Sequence, residues 1–192
     1  LHSNAHSMII SIGGVPGSGK TSVAKILGQR LSMAFYSMGG LRAKMATERG
    51  LTIDELNALG EKDRTTDTSV DDYQKHLGQT SDHFIVEGRL SWFFIPHSFK
   101  VFLQCDLQES ARRVYQARHN TDERADEPAY ATLEHTRTEL DKRMASDRLR
   151  YQTYYGINYQ DPTHYDLVID TTTMKGPEET AEAILQALPD DV

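Results

Sequence analysis

Cysteine is nearly absent from this chain, and its scarcity excludes a fold held together by disulfide bonds. The 192 residues contain one cysteine, Cys105, so no disulfide can form within the chain. Cys105 ends the apolar run 101–105, which indicates a buried strand residue rather than a reactive thiol. A chain of this length can bury a core without disulfides or a structural metal, and we expect one domain.

Long apolar runs and an excess of basic charge are missing as well. No stretch approaches the roughly 18 apolar residues that a membrane-spanning helix needs. Acidic residues outnumber basic ones by 28 to 21, for a formal net charge of −7. Nucleic-acid polymers bind basic faces, so we expect small-molecule partners, no nucleic-acid polymer and no membrane. A cytoplasmic monomer is the simplest expectation for such a chain.

The first seven residues lack both apolar periodicity and an initiator methionine. We expect residues 1–7 to be a tag or a disordered lead, with Met8 as the natural start. The remaining 8–192 contain no internal repeat and no linker that would divide them, which predicts a single domain.

Against these absences, one stretch matches the spacing G-x-x-x-x-G-K-[ST] at every position. It follows a short apolar run, 8–12, and precedes a helical pattern with Val23, Leu27 and Leu31 on one face. A strand, this loop and a helix in succession are the context that a phosphate-binding loop requires. We predict that residues 14–22 bind a nucleotide, namely Gly14, Val15, Pro16, Gly17, Ser18, Gly19, Lys20, Thr21 and Ser22.

The residue types of this loop suit a nucleoside triphosphate. Glycines let backbone N–H groups approach a phosphate, and the helix that follows directs its positive end at the same anion. Lys20 is placed to reach the β- and γ-phosphates, and the hydroxyl of Thr21 to hold Mg²⁺. The sequence therefore predicts ATP and Mg²⁺ as its cofactors.

Five short apolar segments alternate with helical patterns along the chain. Such alternation predicts an α/β protein in three layers, with a five-stranded parallel sheet covered by helices on both faces. In this P-loop NTPase fold the ligand lies beyond the carboxyl ends of the strands. The predicted strands are 8–12, 34–37, 83–86, 101–105 and 165–170.

Two segments are too long or too polar to be simple connections. Between the second and third strands we predict small helices at 41–49 and 69–77, with a capping box at Thr52 and Glu55 between them. We expect this insertion, about 38–82, to close over a ligand. The polar run 120–128 lacks apolar periodicity and predicts a mobile flap before a long helix over 129–155.

Six segments of the chain carry a family resemblance when they are taken together. They are the phosphate loop 13–21, Phe-Tyr-Ser-Met-Gly at 35–39, Val-Glu-Gly-Arg-Leu at 86–90, Arg143 with Asp147 and Arg150-Tyr151, Tyr-Gly-Ile at 155–157, and 165–171. With them the chain resembles the cytidylate kinases, above all their compact, archaeal-like branch, over most of 8–188. The likeness implies transfer of the γ-phosphoryl group of ATP to CMP or dCMP with Mg²⁺. It also implies that 38–82 binds the monophosphate and that about 119–130 is a lid.

Phosphoryl transfer needs two anionic substrates held in line with their charge neutralised, so its machinery consists of cations and positioning groups. The resemblance implies catalytic roles for Lys20, Arg89, Arg143 and Arg150. Arg89 follows the third strand and suits the acceptor phosphate, while Glu87 suits Mg²⁺ together with Thr21. For Glu87 and for Arg89 the alternative is a surface ion pair. The implied substrate-binding residues are Ser37, Gly39, Arg42, Gly88, Arg89, Arg143, Asp147 and Arg150.

Two groups of arginines on helices allow a simpler reading. Arg143, Asp147 and Arg150 fall at i, i+4 and i+7, so they share one helical face. By resemblance Asp147 and one arginine hold the acceptor while the other arginine reaches the transferring phosphoryl group. Arg113 and Arg118 resemble lid arginines that cover ATP. A solvated helix face would also explain either group.

One position departs from the family pattern. An arginine that would bind phosphate aligns with Ala43, whereas this chain carries Arg42. One residue along a helix turns a side chain by about 100°, so the acceptor site is open to question there. Two alternatives therefore remain, namely a P-loop kinase of another small acceptor such as shikimate or a sugar acid, and a regulatory nucleotide-binding module without turnover.

Overall fold

A computed structural model describes residues 7–120 and 130–189. Five strands form one sheet in the order β2-β3-β1-β4-β5, and all neighbouring pairs are parallel. The strands are β1 Met8–Gly14, β2 Ala34–Ser37, β3 His83–Glu87, β4 Phe99–Gln104 and β5 Leu167–Asp170. The predicted five-stranded parallel sheet is confirmed.

Within the described residues, seven α-helices connect these strands and an eighth follows β5. They are α1 Lys20–Leu31, α2 Met38–Glu48, α3 Ile53–Gly60, α4 Thr65–Thr80, α5 Ser91–Phe94, α6 Leu107–Asn120, α7 Leu133–Tyr155 and α8 Pro177–Ala187. A short 3-10 helix covers Pro162–His164. In the part of the chain that the structure describes, no helix has the length and apolar character of a membrane span.

Alternate strand residues pack on opposite faces of the sheet. Ile10 and Ile12 of β1 lie in a core with Leu27 of α1 and Ile184 of α8. Ile9 faces the other way, into a cluster that includes residues of α2 and α4. Each fully buried aliphatic side chain contributes about 1.5–3 kcal/mol to folding. Helices cover both faces, as the alternating pattern predicts.

Several element boundaries differ from the sequence prediction for identifiable reasons. Helix α2 begins at Met38 rather than residue 41, because the Ser37 hydroxyl caps it by accepting from Gly40 N at 3.0 Å. The capping box at Thr52 and Glu55 is confirmed and starts α3. Cys105 lies just beyond β4 and is half-buried, so its placement inside a strand was wrong.

Helices α2, α3 and α4 fill the segment between β2 and β3, where the insertion was predicted. The predicted long helix begins at Leu133 rather than near 129 and ends at Tyr155, followed by Gly156 at φ 69°. Most of the predicted lid, 119–130, and of the predicted lead, 1–7, lies outside the described residues.

Candidate active site

The phosphate loop joins the end of β1 to the first turn of α1. Its backbone is fixed from below, since Val15 N donates to Leu103 O of β4 at 3.2 Å. The Ser18 hydroxyl donates to Val15 O at 2.9 Å, and Lys20 Nζ donates to the same carbonyl at 2.6 Å. Helix α1 begins at Lys20, so its positive end faces the concave side of the loop.

Two of its glycines have conformations that no other residue would tolerate. Gly14 has φ 148°, and a Cβ there would lie 2.3 Å from Leu103 O. Gly17 has φ 77°, and its Cβ would lie 2.7 Å from Ser110 O. The loop therefore rests directly on β4 and on α6, which keeps its N–H groups in place for an anion.

A cleft of about 400 Å³, the main cleft, opens above this loop. One wall is the loop with the first turns of α1, including Pro16, Gly17, Gly19, Lys20, Thr21 and Ser22. The opposite wall carries Ser37, Gly39, Glu87, Arg89 and Arg143. Residues from four separate parts of the predicted site thus meet around one space, whereas the loop residues Gly14, Val15 and Ser18 do not line it.

A carboxylate occupies the corner between the loop and β3. Glu87 is 5% exposed, and its Oε1 accepts from the hydroxyls of Thr21, at 3.3 Å, and of Ser37. Hydroxyl and carboxylate oxygens are hard donors that suit Mg²⁺. Among the described residues there is no group of three or more His, Cys, Asp or Glu fit to hold a metal. The donor set therefore fits a cation held mainly by nucleotide phosphates and water, with Thr21 and Glu87 beside it.

A second and smaller cavity, the side pocket, adjoins the main cleft. Lys20, Gly39, Glu87 and Arg89 line both spaces, so the two meet at these residues. The floor of the side pocket includes Gly88 and Leu90, and one wall is a face of α4. The side pocket therefore faces the position where the phosphate loop would present a phosphate chain.

The α4 wall presents a carboxylate and an amide whose orientations are fixed. Asp71 Oδ2 accepts from the Tyr155 hydroxyl, and Gln74 Oε1 accepts from Ser91 Oγ at 2.7 Å. Both side chains are largely buried and line the side pocket. Because Ser91 occupies Oε1 of Gln74, the Nε2 group of that amide is the donor available to a ligand.

Burial raises the pKa of the Asp71 carboxyl to about 6. The Asp67 carboxylate acts in the same direction, whereas the hydrogen bond from Tyr155 and the charges of Lys75 and Arg64 oppose it. Asp71 is thus mainly an acceptor at neutral pH and becomes a donor in mild acid.

Arg89 lies at the junction of the two cavities, and its Nε contacts Asp147 Oδ2 at 2.5 Å. Asp147 is 2% exposed. Burial opposes its ionisation most strongly, yet Arg89 and Arg150 together hold its pKa below the ordinary value. Asp147 lines neither cavity. The expected direct contact of Asp147 with an acceptor is therefore replaced by contact with Arg89.

Arg150 lies in the interior, away from both cavities. Its side chain is 1% exposed and lines neither cavity. Its NH1 donates to both carboxylate oxygens of Asp67, at 2.7 and 2.9 Å, and its NH2 donates to Asp147 at 2.5 Å. This guanidinium is committed to two carboxylates in this arrangement, and its catalytic and substrate-binding roles stay predictions.

Arg42 lines the side pocket but turns toward α3 and α4. Its Nε donates to Asn57 at 2.9 Å, and its NH1 donates to Thr66 O at 3.0 Å and to Asp67. Ala43, where the family pattern expects an arginine, lines the main cleft instead. The one-residue shift thus moves the arginine from one cavity to the other.

The lid arginines lie away from both cavities. Arg113 pairs with Glu109 at 2.7 Å, and its NH2 donates to Thr171 O at 2.6 Å. Thr171 Oγ1 donates to Ser18 O at 3.2 Å, so Arg113 is linked to the underside of the phosphate loop. Arg118 lies in the last turn of α6, next to the undescribed 121–129, and Arg112 is an exposed charge.

The segment from Asp67 to Gln74 in α4 resembles a base-contacting part of the family's insertion, but no role was predicted from the sequence for any of its residues. Asp67, Asp71 and Gln74 nevertheless recur at i, i+4 and i+7, which places them on one face. The same spacing in α7 was noticed because its residues matched a family segment. Buried polar residues at helical spacing were the available signal for α4.

The parallel sheet, the phosphate loop and the helical insertion define a P-loop kinase fold. The model of the cytidylate kinase-like family matches residues 9–173, and the chain belongs to this family. Cytidylate kinase of Methanocella arvoryzae is 36% identical over 165 residues, which cover 86% of this chain and 88% of that protein. Cytidylate kinase of Methanobrevibacter smithii is 32% identical over 181 residues, covering 94% and 98%.

Solved structures support the fold alone. A protein from Eubacterium ventriosum has a TM-score of 0.62 at 19% identity, covering 93% of this chain and 96% of that one. Shikimate kinase from Acinetobacter baumannii, solved with shikimate, has a TM-score of 0.57 at 18% identity, covering 95% and 92%. The three-layer architecture is thus shared with kinases of a different acceptor.

Proposed function

We propose that this protein transfers the γ-phosphoryl group of ATP to CMP or dCMP, forming CDP or dCDP. The observation that carries the proposal is the junction of the two cavities at Lys20, Glu87 and Arg89. At this junction lie the ammonium of Lys20, the carboxylate of Glu87 and the guanidinium of Arg89. They lie between the phosphate loop and the side pocket. The names of the archaeal relatives support cytidylate as the acceptor.

On the donor side, the loop amides and Lys20 would bind the phosphate chain of ATP. Thr21 and Glu87 would hold Mg²⁺, which neutralises phosphate charge when it is bound. Arg113 and Arg118 remain candidates for covering ATP, and 119–130 for a lid. This chain's own contribution is positioning, since phosphoryl transfer needs little covalent chemistry from the protein.

On the acceptor side, Arg89 and Arg143 present guanidiniums to the main cleft, beside Ser37 and Gly39. A guanidinium fork matches two oxygens of one phosphate. We assign the acceptor phosphate to these arginines, with Arg42 and Gly88 on the side-pocket wall. Of the two arginines on this face of α7, Arg143 lines the main cleft and is the candidate for contact with the transferring phosphoryl group.

The base would lie against α4. Cytosine offers an amino donor next to ring acceptors, and Asp71 offers an acceptor next to the Gln74 donor. Uracil presents an oxygen where cytosine presents the amino group, so it would face the Asp71 carboxylate unfavourably. The wall therefore supports a cytosine acceptor over a uracil one.

The insertion is placed to close over the acceptor. Helices α2 and α4 supply residues of the side pocket, among them Arg42 and Asp71. Closure of α2 to α4 around the acceptor would exclude water from the reaction. This supports 38–82 as the monophosphate-binding insertion.

The direct experiment is a coupled assay of ADP formation with Mg·ATP across CMP, dCMP, UMP and AMP. We expect turnover with CMP or dCMP well above that of the Lys20→Ala variant. No acceptor-dependent ADP above the Lys20→Ala background would end the proposal. Omission of Mg²⁺ should abolish turnover, and a rate unaffected by chelation would remove the metal from it.

Neither alternative acceptor nor loss of turnover is favoured by the relatives, which carry the name cytidylate kinase. Phosphorylation of shikimate without that of CMP, or ATP binding without transfer, would nevertheless revive one of them. We further propose that the protein acts in the cytoplasm and as a monomer. One chain supplies both walls of the site, which supports the monomer. Light scattering coupled to gel filtration, with and without nucleotides, measures the oligomeric state.

A further inference from the structure

Five charged side chains of alternating sign form one continuous chain behind the side pocket. Each neighbouring pair is an ion pair, and the chain connects four elements, α2, α4, α7 and the end of β3. Within this series Arg150 stands between the two carboxylates. In order, the members are Arg42, Asp67, Arg150, Asp147 and Arg89.

Exposure varies along this charge chain in a systematic way. The terminal guanidiniums, Arg42 and Arg89, are 12% and 14% exposed and line the side pocket. The central Arg150 is 1% exposed, and its carboxylate partners are 8% and 2% exposed. The two ends and Asp67 thus line the side pocket, while Arg150 and Asp147 are hidden from it.

The geometry at the centre requires a guanidinium. One nitrogen of Arg150 takes both oxygens of Asp67 and a second takes Asp147, so the fork fixes the two carboxylates relative to each other. Each carboxylate then uses an oxygen to hold one terminal arginine. A lysine ammonium is a single point charge and cannot span both partners in this way.

We propose that Arg150, acting through Asp67 and Asp147, is a positioning residue that sets the separation of Arg42 and Arg89 around the acceptor phosphate. The inference rests on the proposed function and deepens it. Three cations and two anions leave one net positive charge, which matches an anion bound between the ends. A chain that merely held α4 against α7 would lower thermal stability and the folded fraction of the enzyme, without a selective change in the acceptor KM.

The first test replaces Arg150 by lysine and measures both Michaelis constants. We expect the acceptor KM of Arg150→Lys to rise about tenfold, while the ATP KM and kcat stay within about twofold. The matched control is Arg148→Lys, an exposed residue on the same helix, which should change neither constant. An unchanged acceptor KM, or an equal rise in both KM values, would overturn the proposal.

A second test remains decisive if Arg150→Lys does not fold. Asp67 and Arg89 do not form an ion pair with each other, so a double-mutant cycle of Asp67→Asn with Arg89→Lys measures their coupling through the charge chain. We expect effects on the acceptor KM that are clearly non-additive, and partial recovery in Asp67→Glu. Additive effects would mean that the ends are held independently.

The two proposals fail in different ways. If the wild-type protein phosphorylates no nucleoside monophosphate, the proposed function fails. If it phosphorylates CMP and the acceptor KM is insensitive to Arg150→Lys and to Asp67→Asn, only the positioning role fails. Circular dichroism of each variant at the assay temperature shows whether the measured protein is folded.

Discussion

The phosphate loop and the wall formed by α4 and α7 belong to the same site, but they are built in different ways. The loop is continuous in sequence and binds through backbone N–H groups, whose positions follow from glycine conformations and from α1. The wall is assembled from side chains as far apart in sequence as Asp67 and Arg150. The position of each charged side chain in the wall depends on its ion-pair partners, so residue type alone does not define its role.

This contrast predicts different consequences of mutation. A change in the loop should affect the nucleotide that donates the phosphoryl group and the chemical step. A change in the wall should affect the acceptor, its identity and its affinity. Four substitutions or conditions test the division.

The largest effect is expected in the loop. Lys20→Ala removes the ammonium that would balance charge on the transferring phosphate, and we expect kcat to fall by about 10³-fold. The exposed Lys44→Ala should retain full activity. Steady-state kinetics with CMP and Mg·ATP measure both. A Lys20→Ala enzyme of normal kcat would contradict the assigned role of the loop.

Arg89 lies where the two regions meet. Truncation in Arg89→Ala removes a guanidinium from the acceptor phosphate, and we expect kcat/KM for CMP to fall by about 10²-fold. It also leaves Asp147 with one ion-pair partner fewer, so thermal stability should drop.

Two further variants separate the effect of Arg89 on activity from its effect on stability. Arg89→Lys keeps a charge beside Asp147 and should restore stability more than it restores activity. Arg137→Ala, which removes a half-exposed arginine on α7, should alter neither property. Full activity of a folded Arg89→Ala protein would remove the residue from the site.

A smaller effect, on acceptor identity alone, is expected at the wall. In Asp71→Asn the new amide can turn to donate to uracil as well as accept from cytosine. We expect the ratio of kcat/KM for CMP to that for UMP to fall about tenfold, with ATP kinetics unchanged. The neighbouring Asp72→Asn, an exposed residue on α4, is the matched control. An unchanged ratio would mean that the base is read elsewhere.

The smallest effect is a pH dependence of the same ratio. With a pKa raised to about 6 by burial, Asp71 loses its charge as the pH falls through that value. We expect the CMP to UMP ratio to fall roughly fourfold between about pH 7 and about pH 5.5, following the ionised fraction. Both acceptors carry the same phosphate, so its own titration cancels in the ratio.

The sign of the stability effect separates this titration from unfolding. A carboxyl with a raised pKa stabilises the fold below its unfolded pKa, and this stability is lost as the pH rises through the folded value. Protonation of Asp71 therefore does not unfold the protein. A ratio that stays constant in the wild type, or falls equally in Asp71→Asn, would contradict the assignment.

The same contrast explains what the sequence reveals. The loop, the parallel sheet and the cleft positions of Ser37, Glu87, Arg89 and Arg143 follow from contiguous motifs and strand ends, and the structure places them together. Arg150 reaches neither cavity although it shares a helical face with Arg143, because periodicity identifies a face but not the elements against which each part of it packs. Seven residues separate Arg143 from Arg150 by about 10 Å along the helix axis, enough to move from the cleft into the interior.

Arg42 and α4 show a second limit. The offset of Arg42 from the family position was visible in the sequence, but its partners Asn57 and Asp67 come from two other helices. Only the packing of α2 against α3 and α4 determines that pairing. Side-chain networks that cross elements are therefore the part of the site that a linear pattern does not define.

The most direct measurement is a crystal structure with a non-hydrolysable ATP analogue, Mg²⁺ and CMP bound together. We predict the triphosphate on the loop with Lys20, the CMP phosphate on the Arg89 guanidinium, and Arg150 still buried between Asp67 and Asp147. CMP bound elsewhere, with the Arg89 guanidinium turned to bulk water, would contradict the account.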